Sequence, residues 1–263
     1  MREHKFYSGA LRITASAFMF ACMGAALKLA TKELNTPMVV FSRSLFGLMF
    51  LMPWLLSQKN FTIKTSKPHL HLIRSAFGLG AMFCFFHAIG KMPLAQAVLL
   101  SYSFPLFIPF FSAAALKEKT TPTTWLAVVI GFIGIAIIQD PSNNILDHNL
   151  IYGVTAAILA AGAMVSIRFM APGEPSLRIA FYYSLNGTIF AAVPALLMWQ
   201  TPGLKSLFAL ILSGGFATAG QIFVSSGYSV APPAKVGPFS YMVVPFGALF
   251  GWFFWDESLT VTT

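Results

Sequence analysis

The stretch SYSFPLFIPFF, Ser101 to Phe111, lies inside a long apolar run and carries two prolines, Pro105 and Pro109, four residues apart. A proline within a helix leaves the carbonyl four residues earlier without its partner. Pro105 would free the carbonyl of Ser101, and Pro109 that of Pro105. Further along, SYMVVPFGALF, Ser240 to Phe250, repeats the Ser-Tyr pair, a downstream proline and two phenylalanines in step. There Pro245 would free Tyr241, and Pro238 would free Ala234. Lipid cannot satisfy such carbonyls, so broken backbone at membrane depth is tolerated where neighbouring helices, hydroxyls or a wet cavity take them up. The spacing sets Ser101, Pro105 and Pro109 on one helix face, with Tyr102 beside it. Each of the two stretches therefore reads as a bent, polar-lined cavity wall, or else as a kink that serves packing alone.

The composition places these stretches in a membrane. Of 263 residues, 57% are hydrophobic and 10% charged, and the mean hydropathy is +0.73. That leaves too little polar surface to cover a water-soluble globule. A crossing helix needs ~20 apolar residues, and such segments recur at about 11–31, 37–56, 70–90, 94–116, 122–139, 149–170, 178–199, 206–229 and 233–255. The expectation is an all-α bundle of nine spans, since barrel strands would be shorter and alternating. The basic head before the first span is followed by no cleavage pattern, so that span is expected to stay on the chain.

The net charge of +9 is explained by topology rather than by nucleic acid. With a cytoplasmic N-terminus, Arg2, Lys5, Arg12, Lys59, Lys64, Lys67, Arg74, Lys117, Lys119, Arg168, Arg178 and Lys235 fall inside, and only Lys28, Lys32, Lys91 and Lys205 outside. This is a positive-inside bias, and it predicts an inner (plasma) membrane location. Cys22 and Cys84 lack Cys or His companions and read as packing residues, not as a disulfide or metal site. No cofactor or metal is expected.

The two proline-bearing stretches belong to an internal repeat. At a shift of 139, Phe77 to Thr124 overlays Phe216 to Thr263 without a gap, matching Ser101-Tyr102 to Ser240-Tyr241 and Glu118 to Glu257. At a shift of 140, Phe41, Ser44, Leu45, Gly47 and Phe50 fall on Phe181, Ser184, Leu185, Gly187 and Phe190. Five spans per copy is an odd number, so the second copy enters the membrane from the opposite side. The predicted units are 1–140 and an inverted 141–263. Inverted repeats are a common device for alternating access around a midplane site.

Several stretches resemble the drug/metabolite transporter superfamily in its EamA-type branch: FSRSLFGLMFLMP, GKMPLAQAVLLSYSFPLFIPFF, KEKTTPTTWLAVVIGFIGIAIIQDP and SVAPPAKVGPFSYMVVPFGALFGWFFWDESLT. The resemblance covers essentially the whole chain. It implies two five-helix repeats and transport of a small metabolite, while the abundance of aromatic residues would suit an amino-acid-like or nucleoside-like solute. The chain stops after DESLTVTT, where the first repeat continues into its fifth span, so a tenth helix is expected to be missing.

Candidate substrate-contacting residues are Ser101, Tyr102, Ser240 and Tyr241, with His87, Gln221 and Arg43 behind them, and Tyr182, Tyr183 and Asn186 as further polar positions. Arg43 would either hold a carboxylate or phosphate or snorkel to headgroups. His87 would read substrate or carry a proton. No apolar span holds an interior Asp or Glu, which argues against an acid relay. Glu118 and Glu257 read as caps or as a pair across the repeat axis, and GALFG, Gly247 to Gly251, as a close-packing motif. The scattered histidines and the lack of a phosphate-cradling loop argue against an enzyme or an ATP-driven pump. A channel or an inactive member of the same fold stays open as an alternative. The expected partners are a small solute and the bilayer.

Overall fold

The computed structural model describes residues 2–57, 62–117, 121–138 and 148–256. All regular structure among the described residues is helical: α1 (Arg2–Ala30), α2 (Thr36–Ser57), α3 (Pro68–Lys91), α4 (Leu94–Ser101), α5 (Ile108–Ala115), α6 (Pro122–Ile138), α7 (His148–Met170), α8 (Ser176–Leu197), α9 (Leu204–Val230), α10 (Pro233–Val236) and α11 (Val243–Trp255). Among the described residues eight segments are long and apolar enough to cross a membrane, two of them composite, and α6 is a shorter apolar helix. Glu118, Glu257 and most of the loop from Asp140 to Asn149 lie outside the described residues.

The two composite spans are the proline-bearing stretches. Between α4 and α5 the chain tightens into a 3-10 turn at Phe104–Leu106, and between α10 and α11 into a 3-10 segment at Gly237–Met242. Pro105 and Pro238 sit in the first positions of these segments, Pro109 at the start of α5, and Pro245 in the first turn of α11. An N–H in the first turn of a helix has no intrahelical partner, so proline removes nothing there. Each span is thus divided into short helices rather than merely bent.

Close backbone approach sets the packing. α1 lies along α9, α3 along α7, and α2 between α8 and α9. In lipid such pairs are held by van der Waals fit and small residues. A methyl group on Gly214 would come 2.5 Å from Phe46 Cβ and 2.9 Å from the Gly47 backbone nitrogen, and the Thr218 hydroxyl donates to the Gly47 carbonyl at 2.8 Å. One on Gly227 would meet Ile13 at 2.6 Å, and one on Gly9 would meet Ala231 Cβ at 2.8 Å. By contrast, Gly247 of the GALFG motif has only Val98 side-chain atoms at 3.5 Å. The tight glycine contacts among these are those of α2 with α9 and α1 with α9, not Gly247 with α4.

Polar contacts tie the helix ends together at both ends of the bundle. At the end where α1 begins, Glu174 in the α7–α8 turn accepts hydrogen bonds from Thr65 and from Arg178 Nη1 at 2.9 Å, and His71 Nε2 lies 3.4 Å away. Arg178 Nε and the Tyr182 hydroxyl donate to the carbonyls of Thr62 and Ile63, each at 2.9 Å. At the opposite end Ser206 donates to Glu33, and Asn35 reaches the Met198 carbonyl and Gln200 Oε1, each at 2.7 Å. Burial acts to raise the Glu174 carboxyl, but the Thr65 and Arg178 hydrogen bonds and the Arg178 charge outweigh it and hold the carboxyl below the usual carboxylate range.

Gly214→Ala should lower stability by about 1–3 kcal/mol through overpacking against backbone, whereas Gly247→Ala should be neutral or slightly stabilising; thermal unfolding in detergent reads both. A carboxyl depressed on folding stabilises above the ordinary carboxylate range and loses that contribution as pH falls through its folded value. Glu174→Gln should therefore cost about 1–3 kcal/mol near neutrality. The gap from wild type should close only as pH falls below the ordinary carboxylate range. A gap that stayed constant down to strongly acidic pH would remove the role given to the ionised carboxylate.

Candidate functional site: a central cavity with two buried arginines

A cavity of about 110 Å³ lies at the centre of the bundle. That is room for several ordered waters or for the polar head of a solute. Its walls come from α1, α2, α3, the α4–α5 break, α7, α8, α9 and the 3-10 segment before α11.

Five of the seven leading sequence candidates line it: Arg43, Ser101, Tyr102, Gln221 and Ser240. Ser101 is the last residue of α4, and its buried hydroxyl has no hydrogen-bond partner. The Ser240 hydroxyl donates to the Gly237 carbonyl at 2.6 Å within its own 3-10 segment. Tyr102 follows directly at the helix end, where the break swings its ring between Phe20, Phe85 and Phe104, at centroid distances of 6.4, 5.6 and 5.9 Å.

The remaining two candidates lie elsewhere. Tyr241 is half-buried in its 3-10 segment and is not among the lining residues. His87 is half-buried with its ring 4.3 Å from that of Tyr152, also away from the cavity. Of the further polar positions, Tyr183 lines the cavity, Tyr182 joins the Glu174 cluster, and Asn186 donates to Ser75 Oγ at 2.9 Å.

The most consequential side chain is one that the charge pattern misassigns. Arg74, placed by sequence among the basic residues at the cytoplasmic face, is 1% exposed and lines the cavity. Its Nη2 donates to Gln221 Oε1 at 3.0 Å, and its guanidinium carbon lies 4.1 Å from the Tyr183 ring centroid. Arg43, 3% exposed, approaches the same ring at 5.6 Å. It does not snorkel. The Tyr183 hydroxyl is 3.3 Å from the Gly78 carbonyl, which fixes the ring beneath the two cations. Gly78 is one turn beyond Arg74, and a methyl group there would fall 2.3 Å from Arg74 Nη1 and 2.7 Å from the Tyr183 ring. The pattern RSAFG, Arg74 to Gly78, was the available signal: a glycine one helical turn after an arginine opens the space that a folded-back guanidinium occupies.

No acidic residue lines the cavity among the described residues. Arg43 Nε, Arg74 Nε and Arg74 Nη1 are buried without hydrogen-bond partners. The rest of the wall is largely apolar, with Met23, Phe20, Met82, Phe85 and Phe86 prominent. Among the described residues no cluster of His, Cys, Asp and Glu has the makings of a metal site.

Comparison with known proteins bears on what such a cavity does. The model of the EamA-like transporter family matches residues 7–139 and again 149–263. The pseudopaline exporter of Pseudomonas aeruginosa is 30% identical over 255 residues, covering 95% of this chain and 88% of that protein. The riboflavin transporter of Brucella anthropi is 26% identical, covering 91% and 87%, and the S-adenosylmethionine uptake transporter of Rickettsia bellii is 24% identical, covering 83% and 75%. A solved crystal structure at 18% identity superposes with a TM-score of 0.74 over 95% of this chain and 92% of its own, which shows the fold. The multi-pass helical bundle with its central cavity is that of a small-metabolite transporter, and the chain belongs to the EamA-like transporter family.

Proposed function

We propose that the chain is a secondary carrier working by alternating access, built from two inverted repeats, 1–140 and 141–263, around the central cavity. The observation that carries this reading is the make-up of the cavity wall. Ser16 and Ala156, Phe20 and Ala160, Met23 and Ala163, and Arg43 and Tyr183 are pairs of lining residues 140 apart. Met82 and Gln221, Phe85 and Val224, and Ser101 and Ser240 are pairs 139 apart. A wall assembled from equivalent positions of two halves lies on the axis that relates them. Exchange of the halves then turns one access state into the other.

Helix packing supports the same axis: exchanging the halves turns the contact of α1 with α9 into that of α7 with α3, and leaves α2 with α8 in place. The two ends are also closed in equivalent ways. Glu33, in the turn after the first span, binds Ser206 near the start of the eighth; Glu174, in the turn after the sixth, binds Thr65 and His71 near the start of the third. These are the contacts that one half would release while the other held. The two separate family matches agree with a duplicated unit. With Arg74 withdrawn, the sequence tally assigns eleven basic residues to the inner side against four to the outer. This supports a cytoplasmic N-terminus in the inner (plasma) membrane. The matched relatives include both exporters and uptake systems, so the fold by itself does not fix the direction of transport.

The test is uptake of a pooled, labelled metabolite set by proteoliposomes, with and without a pH gradient. A carrier gives saturable, trans-stimulated flux that falls at least tenfold in Tyr102→Ala and in Gly78→Ala; flux linear in concentration and indifferent to trans solute would establish a channel instead. Access is read separately with a cysteine at Ser101, in a background lacking Cys22 and Cys84, and an impermeant maleimide. Glu174→Gln should speed labelling severalfold from the end where α1 begins, and Glu33→Gln from the opposite end. If both substitutions acted from the same side, the two clusters would not be alternating closures.

A further inference from the structure

We infer that the cavity is an organic-anion site: Arg43 and Arg74 together take the oxyanion head, carboxylate or phosphate, of a solute whose body is apolar or aromatic. The inference rests on the carrier reading only for how the solute enters and leaves.

Two guanidiniums buried in one apolar cavity are costly by themselves. Each has lost hydration, and each repels the other. Buried arginines that serve structure alone are ordinarily paired with a carboxylate, yet no acid lines this cavity among the described residues. What holds the two side chains is neutral: the face of Tyr183 under both, and Gln221 Oε1 on Arg74 Nη2. A ring face and an amide oxygen orient a cation without discharging it. Three donor nitrogens, Nε of Arg43 and Nε and Nη1 of Arg74, remain buried and unpartnered. Such donors match a planar or tetrahedral oxyanion, which accepts charge-assisted hydrogen bonds and cancels the local charge at once. The glycine at position 78 keeps this arrangement open, since any larger residue would occupy the space of Arg74 Nη1.

The same wall argues against cations and zwitterions. An ammonium group would meet two like charges and no carboxylate. Beyond the arginines the lining offers Met82, Phe85 and Phe86, which suits an apolar or ring-bearing body. The charged half of the site also comes from one repeat only. Arg43 is matched by Tyr183 at the shift of 140, and Arg74 by Ser213 at the shift of 139. Anion selectivity is therefore a property laid on the repeat and not one the repeat generates.

The experiment uses the purified full chain in detergent and four probes that share one body: 3-phenylpropionate, 3-phenylpropylphosphonate, 3-phenylpropanol and 3-phenylpropylamine. The readout is the shift in Tm. At tenfold excess over Kd a bound ligand should raise Tm by about 3 °C. The expected result is a rise with the carboxylate, the phosphonate or both, and none with the alcohol or the amine. The larger of the two anion shifts names the head group. Arg43→Met and Arg74→Met should abolish the shift without lowering the ligand-free Tm, because each removes an uncompensated buried charge. Arg74→Lys should keep part of it. Equal shifts with the alcohol or amine, no shift with either anion, or an anion shift that survives in both Met variants would overturn the inference. An anion-specific shift in a protein that transports nothing in proteoliposomes would instead keep the site and sink the carrier reading. Saturable carriage of neutral or cationic solutes, without an anion-specific shift, would do the reverse.

Discussion

Hydrocarbon offers no hydrogen-bond partner, and every polar group that enters it must find one inside the protein. The architecture follows from that constraint. Backbone amides close on themselves in helices, which is why regular structure in the described chain is helical throughout. At two proline-bearing stretches the chain instead tightens into 3-10 turns, Phe104–Leu106 and Gly237–Met242, and one of those breaks delivers Ser101 and Tyr102 to the centre. Charged side chains follow the same rule only in part, since Arg43 Nε and Arg74 Nε and Nη1 are left without partners. Arg43 and Arg74 turn inward to a shared ring rather than outward to lipid.

Helices bring such groups together only if they can approach closely, and without a hydrophobic driving force in lipid the approach depends on small residues. Gly47 against Gly214 and Gly9 beside Ala231 set α9 against α2 and α1. Gly78 does the equivalent at the site, trading helix propensity for the volume that a guanidinium and a tyrosine ring fill. Helix packing and the cavity wall therefore use one device.

The cavity wall combines symmetry of position with asymmetry of chemistry. Pairs such as Phe20 and Ala160, or Phe85 and Val224, occupy equivalent places but differ in bulk, and Arg43 faces its own counterpart, Tyr183. In the proposed carrier, symmetric placement would serve a motion that exchanges the halves, and unequal side chains would give a solute one preferred orientation within it. Two inverted repeats, as proposed, would meet both demands because backbone equivalence persists while side chains diverge.

Composition and the spacing of apolar runs determined the helical membrane bundle, since a span is recognised by length and hydropathy alone. The overlay at 139 and 140 marked the two proline-bearing stretches as equivalent, and five of the seven leading candidates do face the cavity. Tertiary structure decided what periodicity leaves open, namely which side of each helix meets which neighbour. Tyr102 and Tyr241 are equivalent in sequence, yet only Tyr102 lines the cavity, and His87 pairs with Tyr152 instead. Arg74 is the sharpest case. Two turns from the start of α3 it reads as one more basic residue at the membrane face, and its inward turn depends on Tyr183 and Gln221, 109 and 147 positions away. A charge near a helix end has water or protein as possible surroundings, and only the packing of distant helices settles which one it meets.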